Sequence, residues 1–143
     1  MTLPTAEWLE ADGLGGFASG TSAGLRTRRY HGLLLTATTP PTGRVMLVNG
    51  LEAWVETPSG RYPISSQRYA PDVVHPDGVR RLTSFVNDPW PRCTYELEDG
   101  TVVEHELAVR HGSPVTALTW RLREPRPDVR LFVRPLLSGR DYH

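Results

Sequence analysis

"YELEDGTVVEHEL", residues 95–107, is the stretch that decides the fold of this chain. Its centre, Asp99-Gly100, is a dipeptide that supplies the positive φ angles of a tight two-residue hairpin turn. On the returning strand Val103, His105, Leu107 and Val109 share one face, whereas Glu104, Glu106 and Arg110 share the other. The alternation predicts two antiparallel strands joined by a tight turn.

The same kind of segment recurs on both sides of this hairpin. The β-rich runs, in chain order, are "LLLTAT", "RVMLV", "LEAWVE", "RYPIS", "VRRLTSFV", "RCTYELE", "TVVEHELAVR", "VTALTWRL" and "VRLFVRPLL". Turn sequences such as "PPTG", "NG", "PSG" and "EDG" separate them, and 13 prolines work against helices. Short strands at such regular spacing predict an all-β fold, an antiparallel β-sandwich, as one domain over residues 1–143.

Charge and composition restrict the classes of partner. The 16 basic and 16 acidic residues cancel, which argues against a nucleic-acid binder. All the basic residues are arginine, a bias that codon usage explains. The only cysteine is Cys93, so we expect a reducing, cytoplasmic location. The N-terminal residues do not resemble a signal peptide, and no apolar run approaches the ~20 residues of a membrane span.

Five glycines lie between Gly13 and Gly24 in "DGLGGFASGTSAG". "GLGGFA" matches the dinucleotide-binding fingerprint, but that motif needs a buried strand before it and a helix after it. The residues on either side fit neither, and no lysine follows to form a phosphate-binding loop. Two alternatives remain: a loop wrapped on the sheet's own surface, or a loop that meets a ligand or another domain.

"RTRRYHG", residues 26–32, follows the glycine loop. Arg28 and Arg29 are predicted to straddle the start of a strand, so that one pairs with a carboxylate such as Asp12. Tyr30 and His31 offer the aromatic and polar groups that a sugar-binding wall requires. The neutral net charge argues against nucleic acid as the ligand of this segment.

Other chemistry finds little support. The five histidines lack metal-ligand spacing, and no nucleophile elbow is present, so we expect neither a metal nor a cofactor. Four carboxylates, those of Glu52, Glu56, Asp72 and Asp77, could in principle supply an acid and a base. Such side chains occur in any chain of this length, and no catalytic residue is assigned.

Five segments, taken in order, resemble one family. They are "EWLEADGLGGFASGT", "TRRYHGLL", "HPDG", "FVNDPWP" and "RDYH", which together extend over nearly the whole chain. They resemble the N-terminal domain of bacterial and archaeal glycogen debranching enzymes of the amylo-α-1,6-glucosidase type. Asp12 departs from the asparagine that is common in this family.

The resemblance implies the β-sandwich that precedes an (α/α)₆ catalytic barrel. That barrel carries the catalytic carboxylates, and the family domain continues beyond "RDYH". We therefore expect an incomplete sandwich, inactive alone, whose partners are an α-glucan and the catalytic barrel. The candidate substrate-binding or domain-interface residues are Asp12, Arg28, Arg29, Tyr30, His31, Arg140, Asp141, Tyr142 and His143.

Two further expectations concern surfaces. A stand-alone carbohydrate-binding or domain-docking module is the alternative function, and an exposed aromatic platform from Trp54, Trp90 or Trp120 would favour it. Along the last strand Val129, Leu131, Val133 and Leu137 share one face. If further strands are needed to cover that face, the chain is expected to self-associate through it.

Overall fold

The computed structural model describes residues 6–70 and 72–141 and confirms an all-β, antiparallel fold. Its twelve strands are β1 Glu7–Ala11, β2 Phe17–Thr21, β3 Gly32–Thr39, β4 Thr42–Thr57, β5 Gly60–Pro63, β6 Gln67–Tyr69, β7 Val73–His75, β8 Leu82–Asn87, β9 Pro91–Glu96, β10 Val102–Val109, β11 Thr116–Leu122 and β12 Arg130–Asp141. A short 3₁₀ turn, Gly78–Arg81, occupies the start of the predicted strand "VRRLTSFV".

Two antiparallel sheets form the sandwich. Sheet A has the order β1-β2-β3-β4-β12, with β5 also paired to β4, and sheet B has the order β11-β10-β9-β8. A separate ribbon joins β6 to β7. The sixteen-residue β4 is the longest strand, and it pairs with β3, β5 and β12.

The core lies between the two sheets. Ala53 and Val55 of sheet A pack with Tyr95 and Val103 of sheet B, and Ile64 closes one side. In β11, Leu118, Trp120 and Leu122 are less exposed than the residues between them, as the alternation predicts. Sheet B therefore turns its apolar face to the core and its polar face to water.

The turn predicted at Asn49-Gly50 is wrong, because β4 runs through both residues. Gly50 is buried and faces Leu136 of β12, and neither Asn49 nor Gly50 has a positive φ. Leu136 faces Gly50 and Leu137 faces Val48, so Asn49 is an extra residue of β4, a β-bulge, at this point. Pairing with a neighbouring strand has overridden the local preference of this dipeptide for a turn.

The 95–107 hairpin forms as predicted, but its turn is longer than two residues. The last paired residues are Glu96 and Val102. Within the connecting segment the Leu97 carbonyl accepts one hydrogen bond from Gly100 N, and Leu97 N donates one to the Thr101 carbonyl. Only Gly100 has a positive φ, of 88°. The Asp99 carboxylate stabilises this longer turn, because it accepts hydrogen bonds from Thr101 N at 2.9 Å and from Thr57 and Ser59 in the neighbouring turn at 2.8 and 2.7 Å.

The sequence patterns missed the first two strands. β1 and β2 form a hairpin at the edge of sheet A, with Glu7 opposite Thr21 and Ala11 opposite Phe17. The segment "FASGT" lacks the alternation of a half-buried strand because it is covered on both faces, and four of its five residues are buried. Small side chains allow that double covering.

Candidate functional site

The glycine loop connects β1 to β2, and the Asp12 carboxylate organises it. Asp12 is 2% exposed, and its Oδ1 accepts hydrogen bonds from Leu14 N at 2.7 Å and Gly16 N at 3.0 Å. The Asp12 backbone N–H donates to the Gly16 carbonyl at 3.0 Å. Asp12 is therefore a structural clamp on the loop's own backbone.

The glycines of this loop meet the domain's own backbone and side chains. A Cβ added at Gly15, whose φ is 98°, would lie 2.6 Å from the Pro41 carbonyl oxygen. At Gly16 it would lie 2.4 Å from the Leu35 oxygen, and at Gly13 2.5 Å from the ring of His111. Of the two alternatives for this loop, the structure supports the first, a loop wrapped on its own sheets.

The segment "RTRRYHG" forms a turn before β3, and His31 fixes its shape. The His31 ring is 1% exposed, and Nδ1 accepts hydrogen bonds from Thr27 N at 3.0 Å and Arg28 N at 3.1 Å. Because Nδ1 is the acceptor, Nε2 carries the proton and donates it to Glu7 Oε1 at 2.8 Å. Both ring nitrogens are engaged inside the domain.

Glu7 is the carboxylate that holds this turn. Its Oε1 also accepts a hydrogen bond from Arg28 Nε at 2.5 Å. The prediction that one of the two arginines pairs with a carboxylate is confirmed for Arg28, but the carboxylate is that of Glu7 and not that of Asp12. The predicted strand start at these arginines is wrong, because β3 begins at Gly32. The hydrogen bond from Arg28, together with that from His31, lowers the pKa of Glu7 from its ordinary value of 4.5.

Replacing Glu7 by glutamine tests this charge. Glutamine can accept the same two hydrogen bonds, so Glu7→Gln removes the charge and keeps the shape. A carboxylate whose pKa is lowered on folding stabilises the native state above its unfolded pKa, and this contribution is lost as pH falls through the folded pKa. We expect wild type to melt above Glu7→Gln at pH 7, the difference to shrink as pH falls below the ordinary glutamate pKa of 4.5, and to vanish below the lowered pKa of Glu7. A difference in melting temperature that is independent of pH would contradict this assignment.

Arg29 and Arg140 come together although 111 residues separate them. Arg140 lies on β12 and donates a hydrogen bond from Nη2 to the Arg29 carbonyl at 2.6 Å. Burial lowers the pKa of the Arg26 guanidinium, and the positive charge of Arg140 nearby lowers it further. We call these three residues the arginine surface. Within residues 6–70 and 72–141, none of the three forms an ion pair.

Tyr30 borders the arginine surface. Its ring makes edge-on contacts with Phe17 and His31, at centroid distances of 6.1 and 5.3 Å. Its hydroxyl donates to no side chain in the described ranges.

Asp141 lies exposed at the end of β12, while Tyr142 and His143 fall outside the described residues. Sequence reasoning missed Glu7 and Arg26, although both lie inside the quoted family segments or directly beside them.

The tryptophans differ in their surroundings. Trp120 faces the core and stacks on His105, with ring centroids 4.4 Å apart. Trp54 lies on the outer face of sheet A, where Phe132 stacks beside it at 5.4 Å and the Arg61 guanidinium lies 4.3 Å from its centroid. Trp90 is 39% exposed and donates to Glu106. The Trp54–Phe132 pair is thus an aromatic surface partly covered by an arginine.

Catalytic groups do not converge on any point that the structure describes. Three of the four candidate carboxylates, Glu52, Asp72 and Asp77, form ion pairs with Arg134, Arg68 and Arg81. Burial raises the pKa of the Cys93 thiol to about 11, which makes it a poor nucleophile at neutral pH. In the described ranges no three His, Cys, Asp or Glu side chains cluster as metal ligands, and no helix could span a membrane.

Fold and site together define a β-sandwich domain whose distinctive polar residues clamp its own loops and present a cationic surface. The family model for the N-terminal domain of glycogen debranching enzymes matches residues 6–143. The chain belongs to this family. Searches of curated proteins and of solved structures found no significant match.

Proposed function

We propose that this chain is the non-catalytic N-terminal domain of a cytoplasmic glycogen debranching enzyme that acts on α-1,6-glucosidic branch points. In this proposal the arginine surface packs on the catalytic (α/α)₆ barrel, near the glucan that the barrel hydrolyses. Hydrolysis itself needs a carboxylic acid and a carboxylate base, and both belong to the barrel.

The observation that carries the proposal is the convergence of the family segments. Three family segments that are far apart in sequence meet here, namely the one that contains Glu7, the "TRRYHG" turn and "RDYH". The Glu7 carboxylate accepts a hydrogen bond from His31 of the turn, and Arg140 donates one to the Arg29 carbonyl of the same turn. Arg29 and Arg140 have no acidic partner in the described part of the chain. A guanidinium without a carboxylate is suited to a carboxylate on another domain or to sugar hydroxyls.

A matched pair of arginine variants tests this surface. In a debranching enzyme that carries this domain, Arg140→Ala is expected to lower kcat/KM for a branched limit dextrin by tenfold or more, about 1.4 kcal/mol. The control is Arg92→Ala, an exposed arginine on the outer face of sheet B. Equal activity of the two variants would contradict a role for the arginine surface.

The isolated chain is expected to be inactive, since its described carboxylates form no catalytic pair. The measurement is glucose release from limit dextrin by purified protein. Turnover well above background that survives both Arg28→Ala and Arg140→Ala would overturn the proposal, because the chain would then contain a catalytic centre elsewhere.

Tyr30→Phe separates a functional from a structural role. The hydroxyl bonds to no described side chain, so its loss should leave the melting temperature nearly unchanged while it weakens activity in the complete enzyme. Tyr30→Ala is the control, since it also removes the ring contacts with Phe17 and His31. If Tyr30→Phe lowers the melting temperature by many degrees and leaves activity per folded molecule intact, the hydroxyl is structural.

A stand-alone carbohydrate-binding module is the second candidate, and the Trp54–Phe132 pair favours it. Aromatic faces on the outside of a sheet can stack on sugar rings. Affinity electrophoresis in glycogen-containing gels tests it: Trp54→Ala should abolish retardation, whereas Trp90→Ala should not. Without retardation of the wild-type chain, this second candidate fails.

A further inference from the structure

Arg26, a member of the arginine surface, is held at two points along its side chain. It crosses Gly50 of β4, where an added Cβ would lie 3.2 Å from Nε and 3.4 Å from Cδ of Arg26. Beyond this crossing, Arg26 Nη2 donates a hydrogen bond to Gln67 Oε1 at 3.0 Å. The missing side chain at Gly50 therefore gives Arg26 a path across the sheet, and Gln67 fixes the guanidinium at its end.

Gln67, at the start of β6, is 6% exposed, and its amide is engaged at both ends. Oε1 accepts from Arg26, while Nε2 donates to the Leu51 carbonyl at 3.0 Å. A guanidinium only donates and a carbonyl only accepts, so the amide fits in one orientation. Gln67 thus ties the guanidinium to the backbone of β4 and adds no charge of its own.

Arg81 shows how this domain treats a partly buried guanidinium that has an internal role. Its Nη1 donates to the Asp77 carboxylate at 2.7 Å, and its Nε donates to the Glu98 carboxylate at 2.9 Å. Burial disfavours the charge of Arg81, yet its hydrogen bonds to Asp77 and Glu98 raise its pKa. Two carboxylates therefore balance one partly buried positive charge.

Arg26 has no such balance among the described residues. Its only hydrogen-bond partner there is the neutral amide of Gln67, and burial lowers its pKa. Its Nε–H is covered and meets no acceptor within residues 6–70 and 72–141. The other groups that influence its charge are those of Tyr69 and Arg140, and neither is a carboxylate. A carboxylate brought against the exposed side of this guanidinium would form a charge-assisted hydrogen bond with it.

We propose that Arg26 receives an acidic side chain of the catalytic barrel, and that Gln67 is the positioning residue that presents the guanidinium to it. This rests on the proposed function, in which the arginine surface packs on that barrel. A neutral amide leaves the charge of Arg26 for its partner, whereas a carboxylate at position 67 would pair with it inside the domain. Fixing the guanidinium beforehand also lowers the entropy that its side chain loses when the two domains meet.

The positioning step has its own readout, because Gln67 is the only glutamine of the chain. Isotope labelling of glutamine side chains should give one amide pair in an NMR spectrum of the 143-residue chain. Arg26→Ala should shift that pair, and Arg92→Ala, which replaces an exposed arginine of β9, should leave it in place. Equal spectra for the two variants would show that Gln67 does not hold Arg26, and the inference would fail.

Two substitutions of Gln67 test the role of the charge. Gln67→Glu keeps an acceptor for Arg26 but neutralises it, whereas Gln67→Met removes both hydrogen bonds and adds no charge. In a debranching enzyme that carries this domain, Arg26→Ala and Gln67→Glu should each lower kcat/KM for limit dextrin by about tenfold or more per folded molecule. Gln67→Met should lose less, because the guanidinium is less well placed but still free. A merely structural role predicts the opposite order, since Gln67→Glu retains the hydrogen bond to Arg26 that Gln67→Met loses.

A double substitution separates the charge of Arg26 from the contact with Leu51. Both variants of Gln67 lose the donor to the Leu51 carbonyl, and in Gln67→Glu the new carboxylate also faces that oxygen. If the difference between them acts through Arg26, it should disappear in the Arg26→Ala background. A difference that persists there, or a Gln67→Met enzyme no more active than Gln67→Glu, overturns the inference. Full activity of Arg26→Ala overturns it too: if Arg140→Ala is impaired, the proposed function stands, and if both variants are fully active, it fails as well.

Discussion

Gly15→Ala should be among the most damaging single substitutions in this domain, at about 3 kcal/mol or more of unfolding free energy. Two costs add at this position. Its φ of 98° is a conformation that L side chains rarely adopt, and the new methyl group would lie 2.6 Å from the Pro41 carbonyl oxygen. Since the obstacle is backbone, the β3–β4 turn must move to relieve the contact. Urea unfolding followed by tryptophan fluorescence measures the loss.

Gly24→Ala is the matched control for the steric part of this cost. Gly24 has a comparable φ of 78°, but a Cβ there would meet nothing within 4 Å. Its substitution should cost only the conformational part, about 1 kcal/mol. If Gly15→Ala and Gly24→Ala lose the same stability, the close approach of the glycine loop to Pro41 does not exist in solution.

Asp12→Ala should cost about 2–4 kcal/mol, because it leaves two backbone N–H groups, those of Leu14 and Gly16, without an acceptor. One of these groups is fully buried, where water cannot replace the carboxylate. Thermal unfolding followed by circular dichroism gives the loss. A fall of less than about 1 kcal/mol would show that the loop does not depend on this clamp.

Asp12→Asn supplies the control and bears on the departure from the family pattern. The asparagine side chain keeps one carbonyl oxygen, and a single oxygen, Oδ1, accepts both hydrogen bonds from the loop. We expect this variant to stay within about 1 kcal/mol of wild type. The clamp needs an oxygen at this point, and either residue can provide it. A large loss in Asp12→Asn would mean that the charge itself is required.

The strands whose residue types alternate with their burial were the ones that the sequence predicted well. β10 and β11 alternate because sheet B has a core side and a water side, and His105 and Trp120 fall together on the core side as expected. β2 was missed because small side chains covered on both faces produce no alternation. β1 was missed because its residue types do not follow its burial: Leu9 is exposed, whereas Glu10 is half-buried. The turn expected at Asn49-Gly50 does not form because β12 pairs with β4 through that point.

In the candidate site, too, the sequence predicted some features and missed others. Sequence motifs drew attention to Asp12, the arginines and His31, but their partners depend on the path of the chain. Arg28 pairs with Glu7 because the β1–β2 hairpin returns Glu7 beside the turn, 21 residues away. Arg140 reaches Arg29 across sheet A over a separation of 111 residues. Residue types can indicate that a polar cluster exists, whereas strand order decides which members touch.

Local patterns in the sequence thus determined that this chain is an antiparallel all-β domain, because the alternation of side chains follows directly from a pleated strand with one buried face. They also determined that its glycine loop lacks the strand–loop–helix setting of a nucleotide site. Only the tertiary structure decided that Asp12 clamps the loop, that Glu7 holds His31 and Arg28, and that Arg140 reaches the Arg29 carbonyl. These features depend on contacts between residues far apart in the chain, and such contacts are fixed by the packing of whole sheets and not by the propensity of any one segment.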